Sequence, residues 1–160
     1  MISKQVVLDL LISQLEQERA TVAQSAHAAI EAATHAESRA EDQHDTRGLE
    51  ASYLAGAQAH RAADLEQKIA HLRGMILRQF KASDRIEAGA LVEVEHNKLK
   101  TIHFLLGMAG GMKVVINSQT VHVVTLHSPL GEELQGRKAG EVFEIESPTG
   151  AKEYEILRIS

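Results

Sequence analysis

The chain has 160 residues, of which 44% are apolar and 24% are charged, and its formal net charge is −5. This length fits one ordinary domain or two small ones, and the composition is that of a folded globular protein. The absence of cysteine excludes disulfides, thiolate nucleophiles and cysteine-based zinc sites. The acidic balance argues against sequence-specific DNA binding by the chain alone. With neither a signal-peptide pattern nor a membrane-length apolar run, we expect a cytoplasmic protein that does not contact membranes.

Composition divides the chain into two parts that meet near residue 80. The first half holds sixteen alanines, three glycines and no proline. Eight glycines, both prolines and most β-branched runs lie in the second half. Because alanine favours helix and β-branched residues favour strands, we predict an α+β protein. Its predicted parts are a helical domain at residues 1–80 and a β domain at residues 81–160.

The first half is predicted to fold as an antiparallel helical hairpin, in which the helices form a coiled coil. Residues 3–40 contain neither Gly nor Pro, and Ser3 is a suitable N-cap. A second helix is predicted over residues 50–80, after the helix-breaking Gly48, and the short connection makes the two helices antiparallel. The predicted seam of the first helix consists of Leu8, Leu11, Leu15, Val22, Ala26, Ala29, Ile30, Ala33 and Ala36. The predicted seam of the second helix consists of Leu54, Ala57, Arg61, Leu65, Ile69, Leu72, Ile76 and Phe80.

Acidic residues crowd the predicted connection between the helices, at residues 41–48. One interpretation is a solvated turn, in which Asp45 or Thr46 caps the second helix. A second interpretation is that Glu41, Asp42 and Asp45 hold a hard cation, because Mg²⁺ prefers one or two carboxylates together with waters and phosphates. The spacing leaves both interpretations open.

The second half is predicted to be a small β half-barrel with one short helix. Ser128, followed by Pro129 and then by acidic residues, predicts a helix that ends near Gly136. A hairpin turn is predicted at Asn117-Ser118 and another at residues 147–150. Alternating apolar residues predict strands over 91–95, 101–106, 113–117, 119–126, 141–146 and 152–159.

The second half also contains the stretch SPLGEELQGRKAGEVFEIESPTGAKEYEIL. Together with the hairpin and its acidic tip, this stretch resembles a divergent subgroup of the GreA/GreB family, the transcript-cleavage factors of bacteria. The resemblance covers the whole architecture and implies an FKBP-like C-terminal domain. It also implies that RNA polymerase is the partner, and that the chain is a cofactor of the polymerase's own cleavage reaction rather than an enzyme.

The resemblance implies two functional regions. His127, Ser128, Pro129 and Leu130 would dock at the rim of the secondary channel of RNA polymerase. The hairpin would enter that channel, so that its tip approaches the active site and indirectly the RNA 3′ end. The implied tip residues are Glu41, Asp42, Asp45, Thr46, Arg47 and Glu50. Three of these, Asp45, Asp42 and Glu41, are the implied ligands of a Mg²⁺ ion shared with the polymerase; no cofactor is expected to bind the chain tightly.

Two functions stay open on this resemblance. Family members usually carry an Asp-Leu-x-Glu-Asn-Ala-Glu-Tyr run at the tip. When Tyr53 is aligned with its last residue, the two functional acids fall on Thr46 and Leu49. After a local shift, the acids that can replace them are Asp45 with Glu50, or Glu41 with Asp42. We expect the protein to stimulate cleavage of backtracked RNA; the alternative is a regulator or inhibitor that binds the secondary channel without cleavage activity.

Overall fold

A computed structural model describes residues 2–34, 47–148 and 150–160 of the chain. The chain divides into two compact units. The β unit comprises Met1–Leu11 together with Met75–Ser160, and the hairpin unit comprises Ile12–Gly74. The predicted domain division at residue 80 stays a prediction. Among the described residues, no helix is both long enough and apolar enough to cross a membrane.

Two long helices, α1 (Lys4–Thr34) and α2 (Arg47–Arg73), confirm the predicted helical hairpin. Ion pairs between them show that the helices run antiparallel. Glu18 binds Arg61 at 2.6 Å and Glu66 binds Arg19 at 3.3 Å, while Glu16, earlier in α1, binds Arg73 at the end of α2. These exposed pairs set the register but stabilise the hairpin little, because water screens them.

The predicted end of the second helix at Phe80 is wrong, because α2 ends at Arg73. Gly74 closes the last turn by donating its backbone N–H to the carbonyl of Ala70 at 3.0 Å. The next residues leave the helix, as glycine is a poor helix former. Ile76, which was predicted to lie in the seam, is 92% exposed, and Phe80 is buried in the β unit.

The buried stripe of α2 differs from the predicted seam in its first half. Leu54, Ala57 and Arg61 are exposed, and Arg61 instead pairs with Glu18. The observed stripe alternates steps of four and three, which is the spacing of a coiled-coil seam. Its members are Ala51, Ala55, Gln58, Ala62, Leu65, Ile69 and Leu72.

The stripe of α1 agrees better with the prediction. Leu8, Leu11, Leu15, Val22 and Ala29 are buried. Ala26 is half-buried, whereas Ile30 is half exposed and was wrongly placed in the seam. The predicted seam residue Ala36 lies outside the described residues, as does the side chain of Ala33.

The β unit is a six-stranded mixed sheet with one short helix, which confirms the predicted α+β fold class. The strand order is β3-β4-β2-β1-β6-β5. All neighbouring strands are antiparallel except β2 and β4, which are parallel. The elements are β1 (Leu91–His96), β2 (Leu99–Leu106), β3 (Lys113–Ile116), β4 (Gln119–Thr125), α3 (Pro129–Leu134), β5 (Val142–Ile145) and β6 (Lys152–Ile159).

Two tight turns connect the antiparallel pairs β1–β2 and β3–β4. Asn117 and Ser118 both have positive φ, which confirms the predicted turn there. Asn97 and Lys98 form a second turn of this kind, which the sequence did not predict. Two successive positive φ angles match the right-handed twist of the flanking strands.

One hydrophobic cluster of the β unit lies on the face of the sheet under α3 and the segment before β1, and the opposite face also buries Phe104, Leu106, Val121 and Val123. Phe80 and Ile86 from that segment pack with Leu134 of α3 against the strands. The remaining buried members are Ala90, Val92, Val94, Leu105, Phe143, Ile156 and Ile159.

Lys4, the first residue of α1, joins the two chain segments of the β unit. Its side chain is buried, and its ammonium donates to the backbone carbonyls of Arg78 at 2.5 Å and Gly89 at 3.1 Å. It also lies 4.6 Å from the centre of the Phe80 ring, within cation–π distance. Burial, followed by the nearby charge of Arg78, lowers the pKa of Lys4.

The end of α2 can be tested with a matched pair of substitutions. Leu72→Ala should lower the free energy of unfolding by about 2–5 kcal/mol, because Leu72 is fully buried. Ile76→Ala should change it by no more than about 0.5 kcal/mol, because Ile76 is exposed. Urea unfolding followed by circular dichroism measures both, and equal losses would mean that Ile76 is packed as a helix-seam residue.

Candidate functional site

The loop between β4 and α3, residues 125–131, is organised around the backbone carbonyl of Thr125. Ser128 donates to this carbonyl twice, from its backbone N–H at 3.1 Å and from its hydroxyl at 2.8 Å. The same hydroxyl oxygen accepts the backbone N–H of Gly131 at 3.1 Å. Ser128 is therefore the N-cap of α3 and Pro129 its first residue, as the sequence predicted.

Gly131 lets the start of α3 approach the end of β4 more closely than any other residue would allow. A Cβ atom at this position would lie 1.9 Å from the carbonyl oxygen of Thr125 and 2.9 Å from its carbonyl carbon. Both contacts are with backbone atoms, so a side chain here would displace the loop or the helix.

The loop is also tied to its surroundings on both sides. The backbone N–H of Leu126 donates to the carbonyl of Leu106, at the end of β2, at 3.2 Å. The side-chain amide of Gln135 donates to the carbonyl of Leu126 at 2.8 Å. These bonds fix the loop between the sheet and the end of α3.

The four predicted docking residues lie together on this loop and differ in exposure. His127 and Pro129 are exposed, and Ser128 is half-buried. Leu130 is half-buried and packs against the core of the β unit. The loop therefore exposes the pyrrolidine ring of Pro129 and the imidazole ring of His127 on a hydrogen-bonded backbone. This arrangement is suited to contact with a protein surface. A docking role for these residues stays a prediction.

Two clefts flank Leu130. The first, which we call the loop cleft, encloses about 620 Å³, and its lining includes Gly110, Gly111, Ser128, Pro129, Leu130 and Ile145. The second, which we call the histidine cleft, encloses about 460 Å³ on the core face of the sheet. Its lining includes His96, Leu99, His103, His122, Leu130 and Tyr154.

His103 and His122 face each other across the parallel strands β2 and β4. They are register partners, and their ring centres lie 5.7 Å apart. The Nε2 atom of His103 is bonded to the hydroxyl of Thr101 at 2.9 Å, whereas its buried Nδ1 atom has no partner among the described residues. Burial, with a smaller contribution from His122, lowers the pKa of His103 to about 4. His103 is therefore neutral near pH 7.

Sequence reasoning missed the histidine cleft. Alternation assigns each histidine to one face of the strand that contains it. Only the parallel pairing of β2 with β4 brings His103 and His122 together. Long-range pairing of this kind leaves no local signal.

Most of the predicted tip lies outside the described residues. This is the case for Glu41, Asp42, Asp45 and Thr46, and for the side chain of Arg47, whose backbone begins α2. Glu50 lies in the first turn of α2 and is exposed. The predicted Mg²⁺ ligands therefore stay a prediction. Within the described parts of the chain, no three or more His, Asp or Glu residues are grouped so that they could hold a metal ion.

Comparison with known proteins identifies a matching family and several similar proteins. The sequence model of a family described as "Transcription elongation factor, GreA/GreB, C-term" matches residues 81–160. The transcription elongation factor GreA of Amoebophilus asiaticus is 51% identical over 37 residues, which cover 23% of this chain and 24% of that protein. GreA of Neorickettsia sennetsu is 29% identical over 76 residues, or 48% of this chain and 45% of that protein. The chain thus matches less than half the length of either curated relative.

Among solved structures, the crystal structure of Thermus aquaticus Gfh1 is similar to this chain. It is 24% identical and has a TM-score of 0.40, and the alignment covers 94% of this chain and 92% of that one.

The close approach at Gly131 predicts that Gly131→Ala destabilises the protein. We expect a loss of about 1–3 kcal/mol in the free energy of unfolding, because the added Cβ overlaps the Thr125 carbonyl. Gly56→Ala is the matched control: Gly56 lies inside α2 with no atom within 4 Å of an added Cβ. It should stabilise by up to about 1 kcal/mol. Urea unfolding compares the two, and an unchanged midpoint for Gly131→Ala would contradict the prediction.

The lowered pKa of His103 predicts a loss of stability in acid. In the unfolded chain His103 takes up a proton near pH 6.5, whereas in the folded chain it does so only near pH 4. The contribution of His103 to the free energy of unfolding is therefore complete above pH 6.5 and declines as the pH falls to about 4. As the pH falls from 7 to 5, the free energy of unfolding of His103→Phe should therefore rise by about 2 kcal/mol relative to that of the unsubstituted protein. Urea titrations at both pH values measure the difference. His127→Phe, at an exposed position, is the control. The same gain in both variants would rule out His103 as its source.

Proposed function

Because the chain belongs to the GreA/GreB family of transcription elongation factors, we propose that it binds bacterial RNA polymerase and acts on its transcribing complexes. The family match over residues 81–160 is the observation that carries this proposal. The matched region contains the whole β4–α3 loop and both clefts, so the surface best suited to a partner lies in the part that defines the family.

The proposed contact is the β4–α3 loop, at the rim of the secondary channel. The hydrogen bonds to the Thr125 carbonyl hold this loop in place before any partner binds. A loop that is already ordered loses little conformational entropy on binding. The exposed His127 and Pro129 then offer side chains for contact, and Leu130 anchors the loop to the core.

The proposed role of the hairpin is to carry the segment between α1 and α2 into the channel. α2 has 27 residues and α1 has 31, and at about 1.5 Å per residue each helix is roughly 40 Å or longer. Much of the buried stripe next to this segment is formed by alanine and other small side chains, such as Ala29, Ala51 and Ala55. Small seam residues let helices approach closely, which keeps the hairpin narrow enough for a pore.

We propose that Glu41, Asp42 and Asp45 help to hold a Mg²⁺ ion at the polymerase active site, with Asp45 as the first candidate. Carboxylate oxygens are the donors that Mg²⁺ prefers, so the residue types fit. Such an ion would stabilise the charge that develops when the RNA phosphodiester is hydrolysed. The chain would supply carboxylates and the polymerase the active site. The chain would then be a cofactor of cleavage, and would meet the RNA 3′ end only through the polymerase.

The alternative is a regulator that occupies the channel without promoting cleavage. One observation favours it: where the family's usual run has its second functional acid, this chain has Leu49, which is 58% exposed in the first turn of α2. An exposed leucine cannot bind Mg²⁺, so the tip could obstruct the active site instead of assisting it.

Purified backtracked complexes distinguish the two functions. We expect the protein to shorten the RNA in the presence of Mg²⁺, and Asp42→Ala/Asp45→Ala to abolish this shortening while polymerase binding is retained. Glu31→Ala/Asp64→Ala removes two exposed carboxylates whose ion pairs lie within a single helix, and is the matched control, which should keep full activity.

The remaining outcomes decide against one function or the other. Unchanged cleavage by the Asp42/Asp45 variant would contradict the assignment of the tip acids. Slower RNA synthesis without shortening would support the regulator.

A further inference from the structure

Two ion pairs join the helices of the hairpin unit on opposite flanks of the seam. Glu18 and Arg19 follow each other in α1, and successive residues of a helix point about 100° apart. They therefore lie on either side of the buried stripe of α1. Glu18 binds Arg61 of α2 at 2.6 Å. Arg19 binds Glu66 of α2 at 3.3 Å, so the helices are bridged on both sides of the seam.

The sequence of α2 favours one register for these two pairs. Residues three or four apart share a flank of a helix, so a slip of α2 by one turn would bring Ala57 or Asp64 opposite Glu18. In the second pair, the same slip would replace the glutamate by Ala62 or Ile69. None of these four residues can pair with the group that it would face, and Asp64 would repel Glu18. A slip in either direction therefore breaks both ion pairs at once.

The two pairs lie where the seam changes from large to small side chains. From Leu65 to Leu72 the stripe of α2 consists of large buried residues. Toward the segment between α1 and α2, both stripes consist largely of alanine. The alanines in this part are Ala26, Ala29, Ala51, Ala55 and Ala62. An alanine buries little area, so packing in this part depends only weakly on the register. Register selection there therefore falls to the ion pairs.

We propose that the residues of these two ion pairs are positioning residues, which fix the register of the helices and so hold the tip acids where cleavage requires them. This inference rests on the proposed function, because the tip acids act only at the polymerase active site. A slip of one turn moves one helix by about 5.4 Å along the other. By comparison, a misplacement of about 1 Å can lower a catalytic rate about 100-fold.

The weakness of exposed ion pairs does not prevent this role. Each pair adds little to the free energy of unfolding, because water screens it. Register selection depends only on the difference between two arrangements of the same folded hairpin. Charged residues that flank the seam of a coiled coil select alignment in this way.

Cleavage of backtracked RNA in complexes of polymerase with the full chain tests the proposal through a reversal and an exchange of charge. Glu18→Arg should slow cleavage about fivefold, because two guanidinium groups then face each other and the register is no longer selected. Glu18→Arg/Arg61→Glu exchanges the two charges and should restore the rate to within about twofold. Asp64→Arg is the matched control, because it makes the same change of charge but breaks only the pair with Lys68 inside α2. Its rate should stay within about twofold of that of the unsubstituted protein.

Binding to polymerase is measured on the same variants by biolayer interferometry. It should change by less than about twofold in each of them, because the proposed contact is the β4–α3 loop. Circular dichroism confirms that each variant keeps its helices.

A distance measurement reports the register directly. Because the chain contains no cysteine, spin labels can be attached at Ser13→Cys and Gly56→Cys, two exposed positions in α1 and α2. Each lies five residues from the Glu18–Arg61 pair, in opposite directions along the hairpin, so the labels are about 15 Å apart along its axis. Double electron–electron resonance should give one distance for the unsubstituted register and for Asp64→Arg. Glu18→Arg should add a population shifted by about 5 Å, and the charge exchange should remove it.

The outcomes separate this inference from the proposed function. If the unsubstituted protein does not shorten the RNA, the proposed function fails, and this inference fails with it. If it shortens the RNA and Glu18→Arg cleaves as fast as Asp64→Arg, only the inference is overturned. Slow cleavage that the charge exchange does not restore, or a distance that Glu18→Arg leaves unchanged, would also overturn it.

Discussion

The close contact between Gly131 and the Thr125 carbonyl is the constraint on which the β4–α3 loop and the two clefts beside it depend. It places the first turn of α3 directly on the end of β4, at a separation that no side chain could tolerate. Ser128 can then serve both as N-cap of α3 and as a donor to the same carbonyl. Leu130 consequently lies between the two clefts, and the exposed Pro129 lines the loop cleft. One backbone-to-backbone approach thus determines where the loop presents its exposed side chains.

The hairpin unit and the β unit achieve stability in different ways. The hairpin buries a narrow stripe, which is alanine-rich in its first part and ends in Leu65, Ile69 and Leu72. The β unit buries larger side chains on both sheet faces and leaves part of the face under α3 open as the histidine cleft. An unfilled part of a core face is ordinarily a loss of packing. The rings of His103 and His122 line this opening, and His103 is neutral near pH 7 because burial lowers its pKa to about 4.

The sequence predicted the elements well and their long-range relations poorly. All six strands, the capped helix α3 and the turn at Asn117 follow from local periodicity and turn chemistry, which act over a few residues. The parallel neighbours β2 and β4, and hence the pairing of His103 with His122, depend on contacts that no local pattern encodes. The prediction for the end of α2 failed because Ile76 and Phe80 fit a helical spacing although Gly74 ends the helix. For the site, the loop residues were predictable from the Ser-Pro cap, whereas the cleft beside them was not.

The β unit is assembled from two chain segments, Met1–Leu11 and Met75–Ser160, and Lys4 bonds across them to the carbonyls of Arg78 and Gly89. Bringing such distant segments together costs loop-closure entropy of roughly 4 kcal/mol for the intervening length. The hairpin reduces this cost, because its antiparallel helices already hold the two ends of Ile12–Gly74 near each other, as the pair of Glu16 with Arg73 shows. A hairpin that closed early, through contacts within one supersecondary motif, would hold the N-terminal segment within reach of a sheet whose last strand is synthesised much later. The same helices that are proposed to reach into the polymerase would then also lower the entropic cost of assembling the β unit.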